Sequence, residues 1–192
     1  TRKESSAASD VYKRQAYISA IREDKTSYSH NKGLSETRQA ISNYFKNKYG
    51  FEYSEEEIII TNGASEALDT SLRSIIEPGD EILIPGPVYA GYIPLIETLG
   101  GIPIYMDTTQ LEFKVTPELI NKHITEKTKA ILLNYPTNPT GVILERSEVK
   151  AIVDTLVDKN LFIISDEIYA ENTFKGAHTS FAEFEEIRDQ LL

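Results

Sequence analysis

Four short stretches of this 192-residue chain hold residue types that can do chemistry. In "TNGASEAL" (61–68), Gly63 permits a tight turn. A helix starting at Ala64 or Ser65 then leaves its first backbone N–H groups free, which makes an anion site suited to phosphate. The Ser65 hydroxyl can add a donor. An ordinary capped helix start is the plainer reading, and the stretch is neither a Walker loop nor GxGxxG. In "PGPVYAGY" (85–92), Tyr89 follows a stiff Pro-Gly-Pro turn. Its ring can serve as a flat stacking surface for an aromatic ligand or simply fill a core. In "NYPTNPTG" (134–141), Asn138 stands between Pro136 and Pro139. It offers an amide donor on a backbone stiffened by proline, or a cap in a two-proline turn. In "SDEIYAE" (165–171), Asp166 sits at the rim of the wholly apolar run Leu161–Ile164. A carboxylate there is costly unless it meets a cation or strong donors, though it can also cap the next turn. Tyr169 follows three residues later, and Glu167 points to the opposite face if the strand continues.

The elements around these stretches are predicted from hydrophobic period. Apolar runs at 57–61 (EIIIT), 81–86, 102–107, 130–135 and 161–167 read as strands, three of them continuous enough to be buried on both faces. Between them lie helical patterns. "GLSETRQAISNYFKNKYG" places Ala40, Ile41, Tyr44, Phe45 and Lys48 on one face, with Gly50 as the stop. A second helix from Ala64 carries Leu68, Leu72, Ile75 and Ile76. A third follows the Thr116-Pro117 cap. A fourth follows Ser147, with Ile152, Val153, Leu156 and Val157 inward. Alternating strands and helices give an α/β fold, a mostly parallel sheet covered by helices. Ligands of such sheets gather at the carboxyl ends of the strands. All four stretches follow strands, so one sheet edge collects a phosphate site, a stacking ring, an amide donor and a carboxylate. A phosphorylated aromatic heterocycle needs that set of partners.

Composition narrows the function classes. Hydrophobic residues make up 40% and charged residues 26%, with net charge −10. That profile is globular, and an acidic chain argues against a nucleic-acid partner. Simple solubility explains the charge equally well. With no cysteine, disulfides and thiolate chemistry are excluded. His30, His123 and His178 have no ligand spacing, so no metal site is expected and all three read as surface or loop residues. No apolar run approaches a membrane span, which leaves no membrane partner and the cytoplasm as default compartment.

The four motifs, in this order and spacing, resemble those of class I/II aminotransferases, pyridoxal-phosphate (PLP) enzymes of the aspartate aminotransferase fold. The resemblance covers about residues 24–192. It implies a PLP-transferase large domain, incomplete at its C-terminus. It also implies cofactor-binding roles: Ala64 and Ser65 for the phosphate, Tyr89 stacked on the ring, Asn138 and Tyr169 on the phenolic oxygen O3′, and Asp166 on the ring nitrogen. Tyr28 matches a tyrosine reaching the neighbouring subunit's phosphate, which implies a homodimer with shared active sites. The Asn138–Pro139 bond is expected to be cis. Amino acids and 2-oxoacids are the implied substrates, with a lean toward the branch holding aromatic, aspartate and N-acetyl-diaminopimelate aminotransferases. Alternatives are a carbon–sulfur lyase of the same fold and the aminotransferase-like effector domain of a transcription regulator.

Residues 1–15, "TRKESSAASDVYKRQ", show no apolar period, and "SDVYKRQ" resembles a translated sequencing adapter. They are expected to be a non-native or disordered leader, with a flexible N-terminal arm as the alternative. A helical segment (16–50) and a partial large domain (51–192) are expected after them. The resemblance implies that the imine-forming lysine lies beyond Leu192, so that no catalytic residue is present and the fragment alone is inactive.

Overall fold

The computed structural model describes residues 2–174 and 176–192, with side chains from residue 11 onward. Its sheet contains β1 (Glu81–Gly86), β2 (Ile102–Asp107), β3 (Thr128–Asn134) and β4 (Phe162–Asp166). All neighbours run parallel in the order β2-β1-β3-β4. The register of β3 against β4 sets Ala130 opposite Phe162 and Asn134 opposite Asp166. Two motif residues at the ends of adjacent strands are thereby brought to one level.

Both faces of the sheet are covered, which is why its central strands are apolar without alternation. One face turns Leu83, Ile131, Leu133 and Ile163 toward α5 (Pro117–His123) and α6 (Arg146–Leu156), where Ile120, Val149, Ile152 and Val153 meet them. The other turns Ile82, Ile84, Leu132 and Ile164 toward α3 (Ala64–Ile75) and α4 (Tyr92–Thr98). Leu68, Leu72 and Ile75 of α3 lie buried there, the stripe its sequence period announces. Each fully buried aliphatic side chain of this kind contributes about 1.5–3 kcal/mol. Caps follow local rules. Thr116 Oγ1 accepts from Leu119 N–H with Pro117 at the first helical position. A reciprocal Glu145–Glu148 box starts α6 two residues before the expected Ser147 boundary. Gly50 closes α2 (Ser35–Tyr49) at φ 83°.

Two expectations are corrected. The run 57–61 is not a strand: Glu55–Glu57 form a 3-10 turn, and Ile58–Thr61 belong to no strand. A strand exists only with a neighbour's ladder, and the Ile60 N–H instead donates to the Lys32 carbonyl at 2.9 Å. Ile59 is 59% and Ile60 37% exposed, so the apolar pattern of the run is not matched by burial. Helix α1 runs from Arg2 to Arg22, through residue 15. Ala, Lys, Arg and Gln are strong helix formers and need no apolar stripe; from residue 11 every α1 side chain except Ala20 is exposed. Finally, α2 turns Arg38, Ile41, Ser42, Phe45 and Tyr49 inward, whereas Ala40, Tyr44 and Lys48 of the expected face are exposed.

Candidate functional site

The motif residues converge at the carboxyl ends of β1, β3 and β4, in two clusters and two outliers. The first cluster centres on Asp166. Its Oδ2 accepts from the Tyr92 phenol at 2.6 Å and its Oδ1 from the Ile168 N–H at 3.2 Å. These two donors answer the cost of a carboxylate beside an apolar strand. Tyr92 is 2% exposed, and burial, followed by its bond to Asp166, holds the phenol above its ordinary titration range. It therefore stays a donor. Tyr89 stands edge-on to Tyr92, with centroids 5.4 Å apart and planes at 81°, and keeps half its surface open. Gly91 has a steric reason: a Cβ there would lie 2.3 Å from the Tyr89 ring.

The second cluster pairs Asn138 and Tyr169. The Asn138 Nδ2 lies 3.3 Å from the Tyr169 hydroxyl. Both line a cleft of about 560 Å³ whose remaining wall includes Thr137, Ile143, Asn172 and Phe174. Two cis bonds, Tyr135–Pro136 and Asn138–Pro139, shape the turn that presents Asn138. The Thr137 hydroxyl, in a residue 8% exposed, has no hydrogen-bond partner among the described residues. Asn134 connects the clusters, donating to the Asp166 carbonyl and accepting from the Asn138 N–H.

Ala64 and Ser65 begin α3 directly after Gly63, whose φ of 81° lets the chain turn upward from the 58–61 segment. The first helical bond arrives only at Ala67 N–H, so the N–H groups of Ala64, Ser65 and Glu66 have no partner within the helix. Among the described residues no hydrogen bond joins this helix start to Asp166, Asn138 or Tyr169. Tyr28 is fully exposed and lies in neither cluster.

Tyr92 and Asn134 are the residues that sequence reading missed. Tyr92 was in plain view in "PGPVYAGY", one turn beyond Tyr89, but nothing local marks it as a partner of Asp166, 74 positions away. Glu167 does turn away from the cleft. Its carboxylate accepts from Ser165 Oγ (2.8 Å), Ser180 Oγ (3.2 Å) and Phe181 N–H (3.0 Å), and His178 Nε2 lies 2.7 Å from it. The His178 side chain is only 7% exposed, so it is a loop residue but not a surface one.

The donor set fits a phosphorylated pyridine: a carboxylate for a ring nitrogen, an amide and a phenol for a ring oxygen, an open aromatic face, and free helix N–H groups for a phosphate.

Comparison with known proteins agrees. The sequence profile described as aminotransferase class I and II matches residues 4–191. The chain is 48% identical over 174 residues to a probable N-acetyl-LL-diaminopimelate aminotransferase of Bacillus subtilis (strain 168), covering 90% of this chain and 44% of that protein. It is 37% identical over 180 residues to an aspartate aminotransferase of Bacillus sp. (strain YM-2), covering 92% and 46%. A tetra mutant of Thermus thermophilus aspartate aminotransferase superimposes with a TM-score of 0.88 at 30% identity, over 93% of this chain and 49% of that one. An aromatic aminotransferase from Pyrococcus horikoshii OT3 does so with 0.88 at 31% identity, over 93% and 47%. The chain thus spans somewhat less than half the length of these relatives.

Proposed function

We propose that this chain, which belongs to the class I and II aminotransferase family, forms the cofactor-gripping part of a PLP-dependent enzyme. The whole protein moves an amino group between an amino acid and a 2-oxoacid. The observation that carries the reading is the joined pair of clusters: Asp166 at the end of β4, and Asn138 with Tyr169 at the cleft, held together through Asn134.

Asp166 would hold the ring nitrogen, Asn138 and Tyr169 the phenolic oxygen, the N–H groups of Ala64 and Ser65 the phosphate, and Tyr89 the ring face. Tyr28 of the partner subunit would reach the phosphate, which makes the enzyme a homodimer with shared sites. When bound, PLP supplies an electron sink for charge developing at the amino-acid α-carbon. The Asp166 carboxylate keeps a proton on the ring nitrogen, because a nearby opposite charge favours the protonated form. Tyr92 orients that carboxylate by donating to Oδ2 and, being buried, does not give up its own proton there. The Asn138 amide and Tyr169 phenol stabilise negative charge on the phenolic oxygen. The reading extends to aspartate-like, N-acetyl-diaminopimelate or aromatic amino acids as substrates, supported by the names of the relatives above, with the cytoplasm as the default compartment.

The test is the full-length protein with PLP. The wild type is expected to take up the cofactor with a visible absorbance band and to transfer amino groups. Asp166→Ala is expected to lose about 10²–10³-fold in kcat, the range for removing one preorganised electrostatic partner. A wild type that takes up no PLP would sink the proposal.

A further inference from the structure

Asn134 is the last residue of β3, in register with Asp166 at the end of β4. It is 4% exposed, and a buried amide is costly unless its groups are paired. The next two residues explain why its side chain is engaged. Pro136 has no N–H, so the ladder between β3 and β4 cannot continue beyond Tyr135. The Asn134 Nδ2 takes over as donor, at 2.9 Å from the Asp166 carbonyl oxygen. On the same planar amide, Oδ1 accepts from the Asn138 N–H at 2.9 Å. One rigid group therefore ties the strand that carries Asp166 to the turn that carries Asn138.

We propose that Asn134 is a positioning residue for the reaction: it sets the spacing between the carboxylate that addresses the ring nitrogen and the amide that addresses the phenolic oxygen. This rests on the PLP reading above. A pyridine ring presents those two atoms at a fixed separation, so preorganised partners help only if their own separation matches it. Asp166 ends β4 and Asn138 lies in the turn after β3, so their separation depends on what joins the two elements, and the Asn134 amide bonds to both. A residue that merely finished the strand would affect folding but not the cofactor's electronic state.

The test uses the full-length protein and PLP itself, with Asn134→Ala and the volume-conserving Asn134→Thr, whose hydroxyl cannot span both partners. Three quantities are measured: PLP affinity, the pH midpoint of the visible band, and the melting temperature of the PLP-free protein. The expected result is an affinity loss of about 10–100-fold, the range seen when outer partners of a bound group are removed. The band midpoint is expected to move upward, as it should in Asn138→Ala, because the donor to the phenolic oxygen is misplaced. Asn134→Ala combined with Asn138→Ala should lose less than the two single effects multiplied together. Variants that fold and bind PLP like the wild type, with only a lower melting temperature, overturn the proposal and leave the PLP reading standing. Failure of both variants to fold also overturns it, assigning Asn134 to the strand end alone. A wild type that takes up no PLP overturns both readings.

Discussion

The carboxylate of Asp166 is held by a phenol on one oxygen and a backbone N–H on the other, and the two are not equivalent. The backbone donor comes from two residues further along the same chain and survives any substitution there except proline. The phenol of Tyr92 comes from α4 and can be removed alone. Tyr92→Phe leaves Oδ2 short of a donor beside an apolar strand. It is expected to lower stability by about 1 kcal/mol or somewhat more, the cost of a part-buried carboxylate oxygen losing its donor, read from urea unfolding. Adding Asp166→Asn to that variant should cost less than Asp166→Asn in the wild type, because the shared bond is already gone. Equal costs in both backgrounds would show that Tyr92 does not orient the carboxylate. At this scale the residue types were legible in sequence: Asp166, Asn138 and Tyr169 were singled out from motif and strand-end position. Their partners were not, because a side-chain hydrogen bond across the sheet leaves no mark on either local stretch.

Helix α3 shows what an element contributes. The first N–H groups at its start have no partner within the helix, and its buried stripe decides where that start sits. Leu72 is wholly buried against Ile82, Ile84 and Leu132 of the facing strands. Leu72→Ala is expected to cost about 2–5 kcal/mol, the usual range for truncating a buried leucine, measured as a lowered urea midpoint. PLP affinity should fall with it, since a loosened α3 no longer holds the Ala64–Ser65 N–H groups in place. Unchanged affinity would remove the helix start from the phosphate role. The stripe was readable because a three-four period has one physical cause, one face in the core. The run 58–61 was misread because β-branched residues report a preference for extended backbone, whereas a strand also needs a neighbour. None pairs with it among the described residues.

At the scale of the molecule, two properties can be tested. Burial pushes the Tyr135 phenol up from 10.0 to about 12, and Tyr92 is also raised, chiefly by burial. A raised folded-state value means that the neutral phenol is favoured in the folded protein. That stability is complete below about pH 10 and is lost as pH rises toward 12, by at most about 1.4 kcal/mol per pH unit for each group. Urea midpoints should therefore fall across this window. Tyr135→Phe should flatten part of the decline, although it starts lower because the Val115 N–H loses its partner. An unchanged slope would contradict the burial account. The second is the proposed sharing of sites between two subunits. Tyr28 is fully exposed within its own chain. Full-length Tyr28→Ala and Asp166→Ala, each impaired alone, should on mixing and re-assembly recover activity toward about a quarter of wild type, since half the dimers are mixed and one of their two sites is intact. No recovery would place Tyr28 and Asp166 in one protomer's site or in none.

What the sequence determined by itself is whatever has a local cause. Strands read as apolar runs at β1 to β4, the α3 stripe as a three-four period, and the stops and starts as Gly50, Gly63 and Thr116-Pro117. The four motifs, by type and order, pointed to a phosphorylated ring. Tertiary structure decided what depends on which strands lie side by side. The order β2-β1-β3-β4 sets Asn134 level with Asp166 and lets α4 bring Tyr92 to that carboxylate. It turns Glu167 to the loop of His178. It also leaves Ile58–Thr61 outside the ladder. The Asn134–Asp166 and Tyr92–Asp166 pairings join distant parts of the chain, fixed by the packing of whole faces rather than by the propensities of the residues that meet.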